Sequence, residues 1–213
     1  MLKNEDNFLH SSKIYEVKFA DIIRCIFAAY GLLMGDNVQL KNNENYIRDI
    51  LVERYLNAKR EQLRIEHVIF NCETAENMAK GYVDIKVQTM ISLNNPEAYY
   101  IFECKRLDGN RTLNNKYIAE GIIRFTTEKY SSYHGINAMI GFEVKSFDTL
   151  ANIEAINRLA FNKYPEANIL KKISPTTFAG NFKHICISSH DTASSMRIEL
   201  YHLMLDFSAV VIM

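Results

Sequence analysis

The sequence predicts a mixed α/β fold in one domain, and three observations carry that reading. Apolar residues recur at helical spacing over the first part of the chain, from Phe19 to Tyr55. The period then changes to two between Gly81 and Leu107. Beyond that point helical stretches alternate with short apolar strands, the pattern of helices packed on a sheet. With 3 Pro, 8 Gly and no repeat or low-complexity linker, nothing divides residues 1–213. That length suffices for one large domain with a substantial core.

Each element follows from local pattern. From Lys18 to Leu33, Phe19, Ile22, Ile23, Ile26, Phe27 and Tyr30 fall on one helical stripe, which should stop near Gly31 or Gly35. A second helix is predicted behind the capping asparagines Asn42 and Asn43, with Ile47, Ile50, Leu51 and Tyr55 on one face. His67 to Asn71 reads as a strand. In Gly81 to Ser92, Val83, Ile85 and Val87 alternate with Tyr82, Asp84, Lys86 and Gln88. Asn94-Asn95-Pro96 signals a turn, and Tyr99 to Leu107 is a further strand, so the two should form an antiparallel hairpin. The loop Asp108-Gly109-Asn110 leads to a helix from about Asn114 to Tyr130. Ala138 to Val144 is apolar enough for a strand buried on both faces. A helix near Thr149 to Asn162, a strand from Phe182 to Ser188 and an amphipathic stretch from Ile198 to Phe207 complete the order.

Bulk composition narrows the function classes. A hydrophobic fraction of 48%, with 12 Tyr and 12 Phe, argues against a disordered chain. Lys plus Arg and Asp plus Glu each total 25, so no basic excess exists to coat nucleic acid by charge alone. Cys25, Cys72, Cys104 and Cys186 are scattered without CxxC spacing, which predicts reduced, mostly buried thiols and no structural zinc. The opening MLKNEDNFLH has no signal-peptide core, and no apolar run approaches the ~20 residues of a membrane helix. The expectation is a cytoplasmic protein without a membrane partner.

The chemistry concentrates in the hairpin. Residues two apart share a strand face, so Glu103 and Lys105 point one way while Phe102 and Cys104 point the other. Charges at the end of so apolar a strand are costly unless paired or metal-bound. The hairpin can bring Asp84 beside Glu103, giving two hard oxygen donors of the kind Mg²⁺ takes alongside waters and phosphate oxygens. Lys105 would then orient or help deprotonate an attacking water and stabilise developing charge. A Glu-x-Lys triplet alone is weak, since Glu16-Val17-Lys18 and Glu143-Val144-Lys145 share it. Neither has an Asp-bearing hairpin strand before it.

Other motifs carry less. Ser189-His190-Asp191 holds the letters of a catalytic triad, but adjacent residues cannot adopt triad geometry. His67, His134, His184 and His202 are isolated and read as core or surface residues. No nucleotide-binding GxxxxGK[ST] or GxGxxG occurs.

GYVDI and FECK, followed by YIAEGIIRFTTEKY and AMIGFEV, resemble the PD-(D/E)XK nuclease superfamily over about Asn42 to Val144. The terminal LYHLMLDF fits the same kind of protein. The resemblance implies a restriction-endonuclease-like mixed β-sheet core flanked by helices. It implies metal binding by Asp84 and Glu103, with Lys105 as the catalytic lysine. An acidic residue on the preceding helix would complete the site: Glu44 is the candidate and Glu53 the alternative. Val83 stands where the name motif has proline. The helix carrying Tyr117, Glu120, Gly121, Arg124 and Tyr130 resembles the family's QxxxY-type helix, which would make Arg124 a phosphate contact; an exposed Glu120–Arg124 pair is the equal alternative. Arg106 is a second candidate phosphate contact, within a local run of cations formed by Lys80, Lys86, Lys105, Arg106 and Arg111.

The implied activity is Mg²⁺-dependent hydrolysis of DNA, with Mn²⁺ able to substitute, in restriction, defence or repair. A homodimer would suit double-strand cutting, and a targeting protein is a further expected partner. The rival expectation is an inactive nuclease-fold module that binds nucleic acid or protein as a scaffold.

Overall fold

A computed structural model describes residues 2–75, 81–90, 92, 95, 98–130, 132, 135–180, 182 and 184–212, with side chains from residue 13 onward except at 75. Lys80, Asn94, Pro96 and His134 lie outside the described residues. The first helix, α1 (Leu2–Gly35), is 34 residues long and starts well before the predicted Lys18. Among its described side chains the buried stripe runs from Tyr15 through Phe19, Ile22, Ile23 and Ile26 to Leu33. The sequence before Lys18, rich in polar residues, carries no clear helical period to read. Asn43 caps α2 (Glu44–Asp49) by accepting the Tyr46 N–H at 2.9 Å. The helix continues as a π-helical stretch, Ile50–Asn57, and α3 (Arg60–Leu63) follows.

A seven-stranded mixed sheet forms the centre, in the order β2-β3-β4-β5-β8-β7-β6. Its strands are β2 (Ile69–Ala75), β3 (Tyr82–Gln88), β4 (Tyr100–Leu107), β5 (Ile136–Glu143), β6 (Ile169–Pro175), β7 (Ile185–Asp191) and β8 (Arg197–Asp206). The predicted hairpin is present: β3 and β4 run antiparallel, with Ile85 opposite Phe102 and Val87 opposite Tyr100. The inner strands β4, β5 and β8 are mutually parallel. Both β5 and most of β8 are buried, as the near-continuous apolar run Ala138 to Val144 predicts. The amphipathic stretch Ile198 to Phe207 thus resolves as an inner strand. A small second sheet pairs β1 (Leu40–Lys41) with β9 (Val211–Ile212).

Strand β6 has no counterpart in the sequence reading. It is an outer strand, largely exposed, with two register shifts and Pro175 at its end, so its sequence ILKKISP lacks alternation. On one sheet face α1 packs through Phe19, whose ring meets Tyr100 and Tyr201 at 5.3 Å. The other face is covered by α4 (Arg111–Tyr117), its π-helical continuation Ile118–Ile122, the short α5 (Ile123–Thr126) and α6 (Thr149–Lys163). The helical run therefore stops at Thr126 rather than Tyr130. Glu128 at φ 57 turns the chain back, and the Tyr130 N–H reaches Arg124 O. Cys104 and Cys186 are buried, Cys25 and Cys72 half-buried, all four as free thiols. Among the described residues no helix is long and apolar enough to cross a membrane.

Candidate active site

The helix-covered face of β4 carries Glu103 and Lys105, as strand alternation requires. Lys105 Nζ lies 2.7 Å from Glu103 Oε1, and Glu103 is fully buried. The β3–β4 ladder stops at Ile85 and Phe102, one step before Asp84 and Glu103 would pair. There the Asp84 side chain replaces the backbone partner: its Oδ2 accepts the Cys104 N–H at 2.7 Å. This places Asp84 Oδ2 3.7 Å from Lys105 Nζ.

Glu44, the first residue of α2, reaches the same point. Its Oε1 accepts from Lys105 Nζ at 3.2 Å and its Oε2 from the Arg106 N–H at 2.9 Å. Glu53 is exposed on the π-helical stretch, and of the two helix acids it is Glu44 that the structure places at Lys105. Lys105 spends its three N–H bonds on Glu44, Glu103 and the Cys104 carbonyl. Burial alone would lower this ammonium's pKa, yet Glu103, Asp84 and Glu44 hold it above the ordinary lysine value. Burial, reinforced by Asp84, pushes the Glu103 carboxyl up to about 7, against the pull of Lys105 and Arg124.

Arg124 and Tyr130 close the other side of Glu103. Arg124 Nη1 donates to Glu103 Oε1 at 2.5 Å and to the Tyr130 hydroxyl at 2.7 Å. Tyr130 in turn donates to Glu103 Oε2 at 2.8 Å. Arg124 thus pairs with the buried glutamate, and among the described residues it makes no ion pair with Glu120. Arg106, expected as a phosphate contact, lines the cleft beside the cluster, with its Nη1 donating to the Asn42 carbonyl and side-chain oxygens at 2.8 and 2.7 Å. Lys86 stands apart from the cluster, buried with Nζ 3.8 Å from the Tyr99 ring centroid.

Sequence reasoning missed Arg48. Its side chain is 3% exposed and bridges Asp49 at 2.7 Å, Glu73 at 3.0 Å and Asp84 Oδ1 at 3.3 Å. The available signal was a cation on the stripe Glu44, Ile47, Leu51 and Tyr55, where a charge needs a partner. A polar cleft of about 160 Å³ opens beside the cluster, lined by Asn43, Glu44, Lys105, Arg106, Lys116 and Glu120. Gly121 lets the covering helix lie close to the sheet, because a Cβ there would press on Met139 and come within 3.8 Å of Lys105 Cγ.

Glu44, Asp84 and Glu103 therefore converge from three elements, with the Lys105 ammonium at their centre. Among the described residues no group of three or more acidic, histidine or cysteine side chains is arranged as a metal site. No family model, curated protein or solved structure matches the chain.

Proposed function

We propose that the chain is a metal-dependent nuclease that hydrolyses DNA phosphodiester bonds at the cluster Glu44, Asp84, Glu103 and Lys105, on a restriction-endonuclease-like fold. The observation that carries the reading is the convergence of three carboxylates on one lysine, beside a polar cleft that Glu44 and Lys105 line. Such a group combines hard oxygen donors with a fixed cation, which is what attack on an anionic phosphodiester requires as further negative charge develops at phosphorus. Carboxylate oxygens suit Mg²⁺ or Mn²⁺, and the Asp84 and Glu44 side chains remain 17% and 29% exposed toward solvent. Asp84 and Glu44, with Glu103 behind them, would hold the ion, which supplies charge neutralisation at phosphorus and a more acidic water.

The protein's own groups have separable roles. Arg48 orients Asp84, while Arg124 and Tyr130 fix Glu103. Three carboxylates keep Lys105 protonated, so its part is to stabilise negative charge on the phosphate rather than to accept a proton. Lys116, at the cleft wall, can attract the phosphate backbone. The test is cleavage of plasmid and linear DNA with Mg²⁺ or Mn²⁺, beside EDTA and the Asp84→Ala variant. Cutting that needs the metal and disappears in the variant supports the reading; cutting retained by Asp84→Ala contradicts it.

A second reading has its own support. Each acid of the cluster already contacts a cation of the chain, the arrangement of an inactive scaffold module. Binding of nucleic acid or protein at full strength without any metal uptake would favour it.

A further inference from the structure

On the far side of α4 from the catalytic cleft lies a larger groove, of about 440 Å³, between that helix and α6. Its polar lining is Arg111, Asn114, Arg158, Asn162 and Lys163, with no carboxylate among the lining residues. In a chain of zero net charge this is a marked local excess. None of the three cations makes an ion pair among the described residues. Two acids close in sequence have other partners: Glu154, four residues before Arg158, pairs with Lys172 at 3.1 Å, and Asp108 accepts from the Asn110 amide N–H and side chain. Arg158, Asn162 and Lys163 are all exposed.

A second, independent feature lies on the same helix, outside the groove's lining. Phe161 is 82% exposed, the most exposed large apolar side chain described. It stands three residues after Arg158 on α6, so the two are surface neighbours on one helix. Cations that track a phosphate backbone, with an exposed aromatic ring beside them, make up the recognition chemistry of unpaired nucleic acid, whose bases offer free faces for stacking. A fully paired duplex would leave Phe161 nothing to stack on.

We infer that the α4–α6 groove binds the backbone of an unpaired nucleic-acid strand, with Phe161 stacking on one of its bases. This deepens the proposed nuclease function, and the groove's role in substrate recognition rests on that reading. Arg111 follows Lys105 by six residues, so their Cα atoms are at most about 20 Å apart and one strand can run past both sites. The substrate would therefore carry a single-stranded segment beside the bond that is cut.

The test is fluorescence anisotropy of the full chain with a labelled 15-nucleotide single strand, in EDTA, from 50 to 200 mM salt. The wild type should bind with a clear salt dependence. Arg158→Gln/Lys163→Gln should lower the slope of log affinity against log salt by about 1.4, or ~0.7 per lost phosphate contact. Phe161→Ala should bind about tenfold more weakly with the slope unchanged, since stacking is worth ~1–3 kcal/mol per base. Wild-type binding by all variants would overturn the inference, as would equal affinity for a blunt duplex with no effect of Phe161→Ala. Because EDTA removes catalysis, failure of cutting and failure of binding are separate results: a protein that binds as described but never cuts loses only the nuclease reading.

Discussion

Glu103 and His202 occupy the same row of the sheet on the same face, with Met139 of β5 between them. Both are fully buried and both have polar partners, yet their surroundings are opposite in kind. Around Glu103 the ion-pair partners are Lys105 and Arg124, Glu44 and Lys105 line the cleft, and Asp84 keeps some solvent exposure. Around His202 the network is neutral and sealed. Its direction follows from one fixed end: the Ala167 carbonyl only accepts, so His190 Nδ1, 2.7 Å away, carries a proton. In a neutral ring His190 Nε2 then accepts from the Ser188 hydroxyl at 2.6 Å. Ser188 accepts from His202 Nε2–H at 2.8 Å, and His202 Nδ1 accepts from the Tyr117 hydroxyl at 2.8 Å. Every donor has one acceptor, without a charge. Ser188 rather than Ser189 is the partner of His190, and the Ser-His-Asp triplet has no triad role. The comparison teaches that burial alone does not mark a reactive centre. A cluster that retains several charges beside an opening costs stability and suits chemistry, whereas a closed neutral chain specifies packing.

The largest expected break falls on the charged cluster. Lys105→Ala should reduce DNA cleavage by about 10²–10³-fold while near-UV circular dichroism stays native, because a preorganised cation is lost. Next comes the neutral chain. His202→Leu should leave the buried Tyr117 hydroxyl without an acceptor, while Ser188 keeps its bond to His190, and lower unfolding free energy by about 1–3 kcal/mol in urea titrations. Tyr130→Phe removes one donor to the Glu103 carboxylate, and the same assay should give about 1.5–3 kcal/mol.

Acid should separate the two regions further. Burial lowers His202 to about 3, and His190 is lowered for the same reason. The unfolded chain takes up these protons near the ordinary histidine value of ~6.5, whereas the fold refuses them. Stability from the network is therefore complete above ~6.5 and declines as pH falls below it, for His202 down to about 3, by as much as ~1.4 kcal/mol per pH unit for that histidine, with His190 adding in the same direction. Urea midpoints at pH 7, 6 and 5 should show that decline, and it should flatten in His202→Leu. The smallest effect belongs to the wall between the regions. Gly121→Ala meets only the flexible tip of Met139, so it should cost about 1 kcal/mol and leave cleavage nearly intact.

What could be read from the sequence was whatever a short period encodes. Asp84, Glu103 and Lys105 declare themselves by alternation along two adjacent strands, and Glu44 by its place behind an asparagine cap. Arg48 acts on Asp84 from 36 residues away, so no local pattern shows its role. Tyr130 reaches Glu103 only because the helix ends at Thr126 and Glu128 adopts a positive φ. The chain through His202 joins residues 14 and 85 positions apart, and its histidines look isolated in sequence.

Manganese titration followed by electron paramagnetic resonance addresses the central claim most directly. If Glu44, Asp84 and Glu103 form the reactive centre, the wild type should take up Mn²⁺ and Asp84→Asn should bind it markedly more weakly, while His202→Leu is unchanged. No uptake by the wild type, or equal uptake by Asp84→Asn, would contradict the account and leave the charged cluster a structural one.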